Sequence, residues 1–161
     1  MTHTPDSAVA IQRWIDHAEI AELILRYAKL FDERNFEVTL PALFSEDAHV
    51  ELPPGDHRGL TGMGAFHDDV MAPFGATQHI FTNILTDVDS DRASFRCNTS
   101  VTHVVLPTSD STSAGSDNLF VAGGVLSGTT IRTSAGWRFR RVNLEVIWRT
   151  GDFGSGPNAE R

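Results

Sequence analysis

Among the side chains suited to moving protons, those of His79 and His103 stand out by their place on two strands, and those of Asp32 and Tyr27 by theirs on the first helix. Histidine titrates near neutral pH, so two imidazoles on one half-buried face can take and return a proton. His79 lies in Gln78-His79-Ile80-Phe81-Thr82-Asn83, and His103 in Val101-Thr102-His103-Val104. Both runs read as antiparallel strands joined at Asp89-Ser90-Asp91, in a register that sets His79 opposite His103. Facing residues on such strands have Cβ atoms about 4.5–5.5 Å apart. A slip of one residue would send the two imidazoles to opposite faces. Asp32 stands at the end of the first helix, where the helix dipole disfavours negative charge. A carboxylate at that cost, beside an apolar stripe, is a candidate partner for a histidine. Zinc or iron would also accept His79, His103 and Asp32 as ligands, although proton transfer among them requires no metal or organic cofactor. Each residue also has a structural reading: Tyr27 as core, Asp32 as a cap or an ion pair with Arg26 or Arg34, and either histidine as a satisfied strand residue. His17, His49, His57 and His67 read as surface residues.

The elements that must position these groups follow from periodicity. Ala8 to Arg34 reads as a helix capped within by Asp16, with Glu19 completing a capping box. Ile20, Leu23, Ile24, Tyr27, Leu30 and Phe31 form its apolar stripe. Asn35 to Phe44 reads as a second helix containing Pro41, Ala48 to Leu52 as a strand ended by Pro53-Pro54-Gly55, and Gly62 to Met71 as a third helix. Strands are expected over Thr77–Val88, Arg92–Leu106, Asn118–Thr129 and Trp137–Trp148, with Pro107–Asp117 as a flexible loop and Gly123-Gly124 as a bulge. Asn83, at even spacing from His79, should share its face, as should Phe81. Trp137 and Trp148 have opposite parity, so one lines the core or pocket and the other an interface. Helices packed on one face of a curved antiparallel sheet make an α+β cone whose mouth suits a small molecule.

The totals agree with a single domain. The chain has 161 residues, 40% hydrophobic and 21% charged, enough to build a core without staples. An ordered region of about residues 11–150 is expected, with flexible tails. The net charge of −8 argues against nucleic acid or an anionic membrane as the main partner. The single cysteine, Cys97, sits mid-strand and excludes an intrachain disulfide. No segment reads as a signal peptide or a membrane span, so a cytoplasmic location is the default expectation.

Several segments together resemble the SnoaL-like branch of the NTF2-like superfamily, which includes scytalone dehydratase and bile-acid dehydratase. They are Leu25-Arg26-Tyr27-Ala28-Lys29-Leu30-Phe31-Asp32, Leu43-Phe44-Ser45-Glu46-Asp47-Ala48, Gly59-Leu60-Thr61-Gly62, the His79 segment, and Gly136-Trp137-Arg138-Phe139. The resemblance implies that Tyr27 and Asp32 face His79 and His103 across a pocket. It also implies an arginine from the last strand, for which Arg141 is the nearest candidate, ahead of Arg138 and Arg140. Candidate substrate contacts are then Asn83, Arg141, Trp137 and Phe81. The expected activity is that of a cofactor-independent lyase or cyclase acting through an enolate on a cyclic or polyketide-like carbonyl compound. The first alternative is a non-catalytic binding or assembly subunit of the same fold. A more distant one is an epoxide hydrolase, which would need Asp87, Asp89 and Asp91 mid-strand. A homodimer or homotrimer is expected by the same resemblance.

Overall fold

The computed structural model describes residues 7–107 and 118–151. The loop expected before Asp117 falls almost wholly outside the described residues, as do the expected loose ends at 1–6 and 152–161. Three helices, α1 (Ser7–Glu33), α2 (Phe36–Leu43) and α3 (Met63–Met71), pack on a curved sheet of six strands. The strands are β1 (Phe44–Leu52), β2 (Gly55–Arg58), β3 (Phe74–Asp89), β4 (Arg92–Val105), β5 (Leu119–Thr133) and β6 (Gly136–Thr150). Their order is β2-β1-β6-β5-β4-β3. The α+β cone expected from the sequence is therefore present, with two differences. The sheet is mixed, because β1 runs parallel to β6. The Pro53-Pro54 break does not end the pairing but folds the chain into a hairpin, so that β2 returns along β1.

The α1 stripe forms the core as its spacing predicts. Ile20, Ile24, Tyr27, Leu30 and Phe31 are buried against Phe95, Leu126, Phe139 and Val142 of the sheet. At about 25 cal/mol per Å² of apolar surface, each such side chain contributes about 1.5–3 kcal/mol. Asp16 does not cap a helix. The helix runs straight through it, and its buried carboxylate accepts from Arg132 Nη2 (2.8 Å), Gln12 Nε2 (3.1 Å) and the Trp137 indole (3.5 Å). Burial with three donors replaces the end-of-helix role, and the hydrogen bond from Arg132 holds this carboxyl below its ordinary range. Pro41 is accommodated inside the two-turn α2.

The β3–β4 register differs from the expected one by two residues, and the difference preserves the face. His79 pairs with Val101, and Thr77 with His103. One residue of the offset comes from the tight turn, which sets Asp89 opposite Arg92. The other comes from a bulge, where Asn83 and Ile84 together oppose Cys97 between the Thr82–Asn98 and Leu85–Arg96 pairs. Either shift alone would place the two histidines on opposite faces; together they return both to the concave side.

Candidate active site

Asp32 leaves the last turn of α1 and meets the strand that carries His79. The His79 Nδ1–H donates to Asp32 Oδ1 at 2.7 Å, and the His79 backbone N–H donates to Oδ2 at 3.1 Å. The Thr77 hydroxyl, two residues earlier on the same face, donates to Oδ1 at 2.9 Å. Arg34 continues the docking by donating from Nη2 to the Gly75 carbonyl at 2.6 Å. Alternate residues of β3 thus receive the end of the helix. Three donors offset the unfavourable helix dipole at Asp32.

An ionised carboxylate only accepts, so the His79 proton lies on Nδ1 and its Nε2 carries a lone pair. His103 Nε2 sits 3.2 Å from that lone pair and supplies the N–H. His103 Nδ1 is then a buried lone pair without a partner among the described residues. Aromatic rings fix both imidazoles: His79 stacks on Phe31, and His103 on Phe74 and Phe120. Phe81 stands edge-on to His79. Burial pushes the His103 imidazole down to about 4, with the neighbouring His79 adding to the effect. Burial also lowers His79, while the hydrogen bond and charge of Asp32 oppose the shift. Both rings are neutral at neutral pH, so one wall of the cone presents a chain from carboxylate to base to N–H donor.

The remaining candidates divide. Tyr27 does not reach the histidine pair. Its hydroxyl bonds His67 Nε2 at 2.9 Å, and His67 Nδ1 donates to the Met63 carbonyl at 2.8 Å. His67, read from the sequence as a surface residue, is fully buried and clamps α3 to α1. His49 is also buried, on the outer side of β1 beside Asp56. Asn83 is displaced by the bulge that it helps to form: it has φ 54°, is exposed, and accepts from Thr82. Arg141 lies on the outer face, donating to Glu51 Oε2 from Nε (3.1 Å) and Nη2 (2.7 Å). Trp137 is buried beside Asp16 and Arg132, sixteen residues before Asp32 on α1, about 24 Å along the helix axis. Asp87 and Asp89 are exposed at the outer end of β3, and Asp91 holds Arg132, so no mid-strand carboxylate set forms.

The pairing brings a different arginine to the concave side. His79, Val101, Ala122 and Arg149 form one cross-sheet row through β3, β4, β5 and β6. Bulges in β5–β6 at Gly123/Gly124 and Thr129/Thr130 change the parity of β6 along its length. The two offsets cancel between Trp137 and Arg149, twelve residues apart, so both face the concave side; Arg141, between the bulges, is the residue that parity counting misplaces. Among the described residues no group of three His, Cys, Asp or Glu is arranged to hold a metal ion. Two clefts, of about 390 and 520 Å³, flank the β3–β4 turn near Arg92 and Arg132 and are lined by neither site histidine. In the second cleft Arg132 is paired with Asp16 and Asp91, and Arg140 of the first is paired with Asp47; neither cleft holds a histidine–carboxylate arrangement like that of Asp32, His79 and His103.

Comparison with known proteins gives the family. A model of the SnoaL-like domain matches residues 12–143. The Kfla4162 protein of Kribbella flavida is similar in structure, with TM-score 0.76, 24% identity, and coverage of 86% of this chain and 95% of that one. A candidate scytalone dehydratase of Novosphingobium aromaticivorans DSM 12444 superposes with TM-score 0.74 at 20% identity, over 89% and 91% of the two chains. The hexachlorocyclohexane dehydrochlorinase LinA-type3 of Novosphingobium barchaimii LL02 gives 0.75 at 18%, over 91% and 96%. At these identities the likeness concerns the fold. No curated protein sequence matches the chain. The family match, which spans most of the chain, shows that this protein belongs to the SnoaL-like family, within the NTF2-like fold.

Proposed function

We propose that the protein is a cofactor-independent lyase or cyclase that acts through an enolate on a small cyclic or polyketide-like carbonyl compound. The observation that carries this reading is the hydrogen-bonded chain Asp32–His79–His103 on the concave wall. His79 Nε2 takes the proton α to the carbonyl, and Asp32 stabilises the imidazolium through Nδ1–H. In the resting protein His103 caps that lone pair. A substrate oxygen entering between the rings takes over the His103 N–H, which then donates to the leaving hydroxyl or to the enolate oxygen. In a dehydration the C–H pair becomes the new double bond as the β C–O bond breaks. The abstracted proton passes from His79 to the departing hydroxide, directly or through His103, so water leaves and the protein returns to its starting protonation. Arg149, in the same row as His79, is the candidate to orient the carbonyl or an acidic group, in the place first given to Arg141. The names of relatives, a dehydratase and a dehydrochlorinase, support elimination as the reaction class.

The test is turnover of a panel of β-hydroxy ketones on fused-ring or polyketide-like frames. The reading expects activity without added metal or cofactor, reduced about 10²–10⁴-fold in His79→Ala. Equal activity in that variant would remove the reading. A second reading, a non-catalytic binding or assembly subunit, is favoured by one observation: the two clefts lie away from the histidines. It expects ligand binding with no turnover by any form of the protein.

The reading includes self-association through the convex sheet face. The rows Gln78-Thr102-Val121-Thr150, Ile80-Ser100-Gly123-Trp148 and Thr82-Asn98-Val125-Glu145 lie opposite the histidine side and hold one charged residue. Depletion of charge around an exposed Trp148 and Ile80 suits a second copy of a chain of net charge −8.

A further inference from the structure

We infer that Thr77 is a positioning residue that fixes which nitrogen of His79 is the base; the inference rests on the acid/base reading above. Two donors converge on one oxygen of Asp32: the Thr77 hydroxyl at 2.9 Å and the His79 Nδ1–H at 2.7 Å. A carboxylate on a single χ2 torsion rotates freely unless held. The backbone N–H of His79 holds Oδ2, and Thr77 holds Oδ1, so the carboxylate plane has one setting, with Oδ1 facing the ring. The Phe31 carbonyl, 3.5 Å from the same hydroxyl, is the longer, competing acceptor for its one proton, which goes to Asp32. Register places Thr77 opposite His103, so one pair of facing residues contains both the holder of the carboxylate and the cap on the base. Because Thr77 shares the electron density of Oδ1, it also keeps the proton on His79 rather than on the carboxylate. The result is a fixed Nδ1–H tautomer with Nε2 directed at substrate.

The experiment is ¹⁵N-resolved NMR of the His79 ring in the full chain near pH 7.5, comparing wild type, Thr77→Val, Thr77→Ser and Asp32→Asn. A thermal melt of each variant verifies folding. Wild type and Thr77→Ser should show the Nδ1–H form alone. Thr77→Val should show a mixture with the Nε2–H form and, on any substrate the wild type turns over, about a tenfold lower kcat, as expected for one charge-assisted hydrogen bond. Thr77→Ser should restore kcat to within about twofold, because it keeps the donor. If Thr77→Val keeps the wild-type tautomer while Asp32→Asn loses it, the role of Thr77 is overturned and the Asp32–His79 pairing stands. If neither variant alters the tautomer, the pairing itself fails. If Thr77→Val does not fold, Thr77→Ala takes its place: a single Nδ1–H tautomer there overturns the proposal, and a mixture upholds it.

Discussion

At the scale of single residues, His79 is defined by what competes for it. Desolvation favours the neutral ring, Asp32 favours the cation, and desolvation prevails. The acid limb of kcat/KM should therefore fall below the ordinary histidine value of about 6.5. Replacing Asp32 by Asn removes the group that raises His79, so the limb should move to still lower pH as the rate falls. A pH–rate profile of both proteins checks the sign, and a limb that rises in Asp32→Asn would contradict it. Tyr27 has the opposite character. Burial raises its phenol well above the ordinary value, and its hydroxyl serves His67. Tyr27→Phe should cost about 1–3 kcal/mol of stability by leaving His67 Nε2 unsatisfied. Its kcat should stay within about twofold of wild type. Chemical denaturation alongside turnover separates these outcomes.

At the scale of elements, the sheet register decides which residues form a site. Helical spacing on α1 was legible because Ile20, Ile24, Tyr27 and Phe31 repeat a 3.6-residue period that survives folding unchanged. Asp32 was legible as an oddity, a carboxylate beside that stripe. The strand faces were harder to read. The bulge at Asn83–Ile84 in β3 and the two in β5–β6 each insert a residue, and after each one odd and even exchange faces. His79 and His103 were matched to the same face because two offsets cancelled. Asn83 and Arg141 were assigned to a face that the bulges moved away from them. The fate of His67 depends on the docking of α3 under α1, which no local pattern records. The bulge can be tested directly. Asn83 adopts φ 54°, a left-handed setting that asparagine and glycine tolerate and β-branched residues do not. Asn83→Val should lose about 1–2 kcal/mol, and Asn83→Gly almost nothing, in equilibrium unfolding. Deleting Asn83 should leave Ile84 alone opposite Cys97, with the Leu85–Arg96 and Thr82–Asn98 pairs intact, and so keep His79 facing His103. Loss of the His79–His103 contact in the deletion variant would refute this account of the bulge.

At the scale of the molecule, buried histidines contribute to the response to acid. Burial lowers both His67 and His103 from 6.5 to about 4. Between those values the unfolded chain binds protons that the folded chain refuses, so stability rises with pH across the window and falls as pH drops through it. The loss is up to about 1.4 kcal/mol per pH unit for each group. Melting temperature should decline from pH 6.5 toward pH 4, and less steeply in His103→Phe, which keeps the aromatic packing with Phe74 and Phe120. An equal slope in that variant would exclude His103 as a contributor. The convex face gives a second whole-molecule expectation. Trp148 lies over Gly123, where a Cβ would meet the indole, and both stand among uncharged neighbours. Trp148→Glu should convert a sedimenting dimer or trimer to monomer, whereas a monomeric wild type would rule out the sheet face as a self-interface.

The claim on which the rest depends is that His79, oriented by Asp32, removes a proton from carbon. Its most direct measurement is deuterium wash-in from D₂O at the α-carbon of a fused-ring ketone, followed by proton NMR in wild type, Asp32→Asn and His79→Ala. The account predicts exchange catalysed by the wild type, slowed in Asp32→Asn and absent in His79→Ala. Exchange that proceeds equally in wild type and His79→Ala would contradict it.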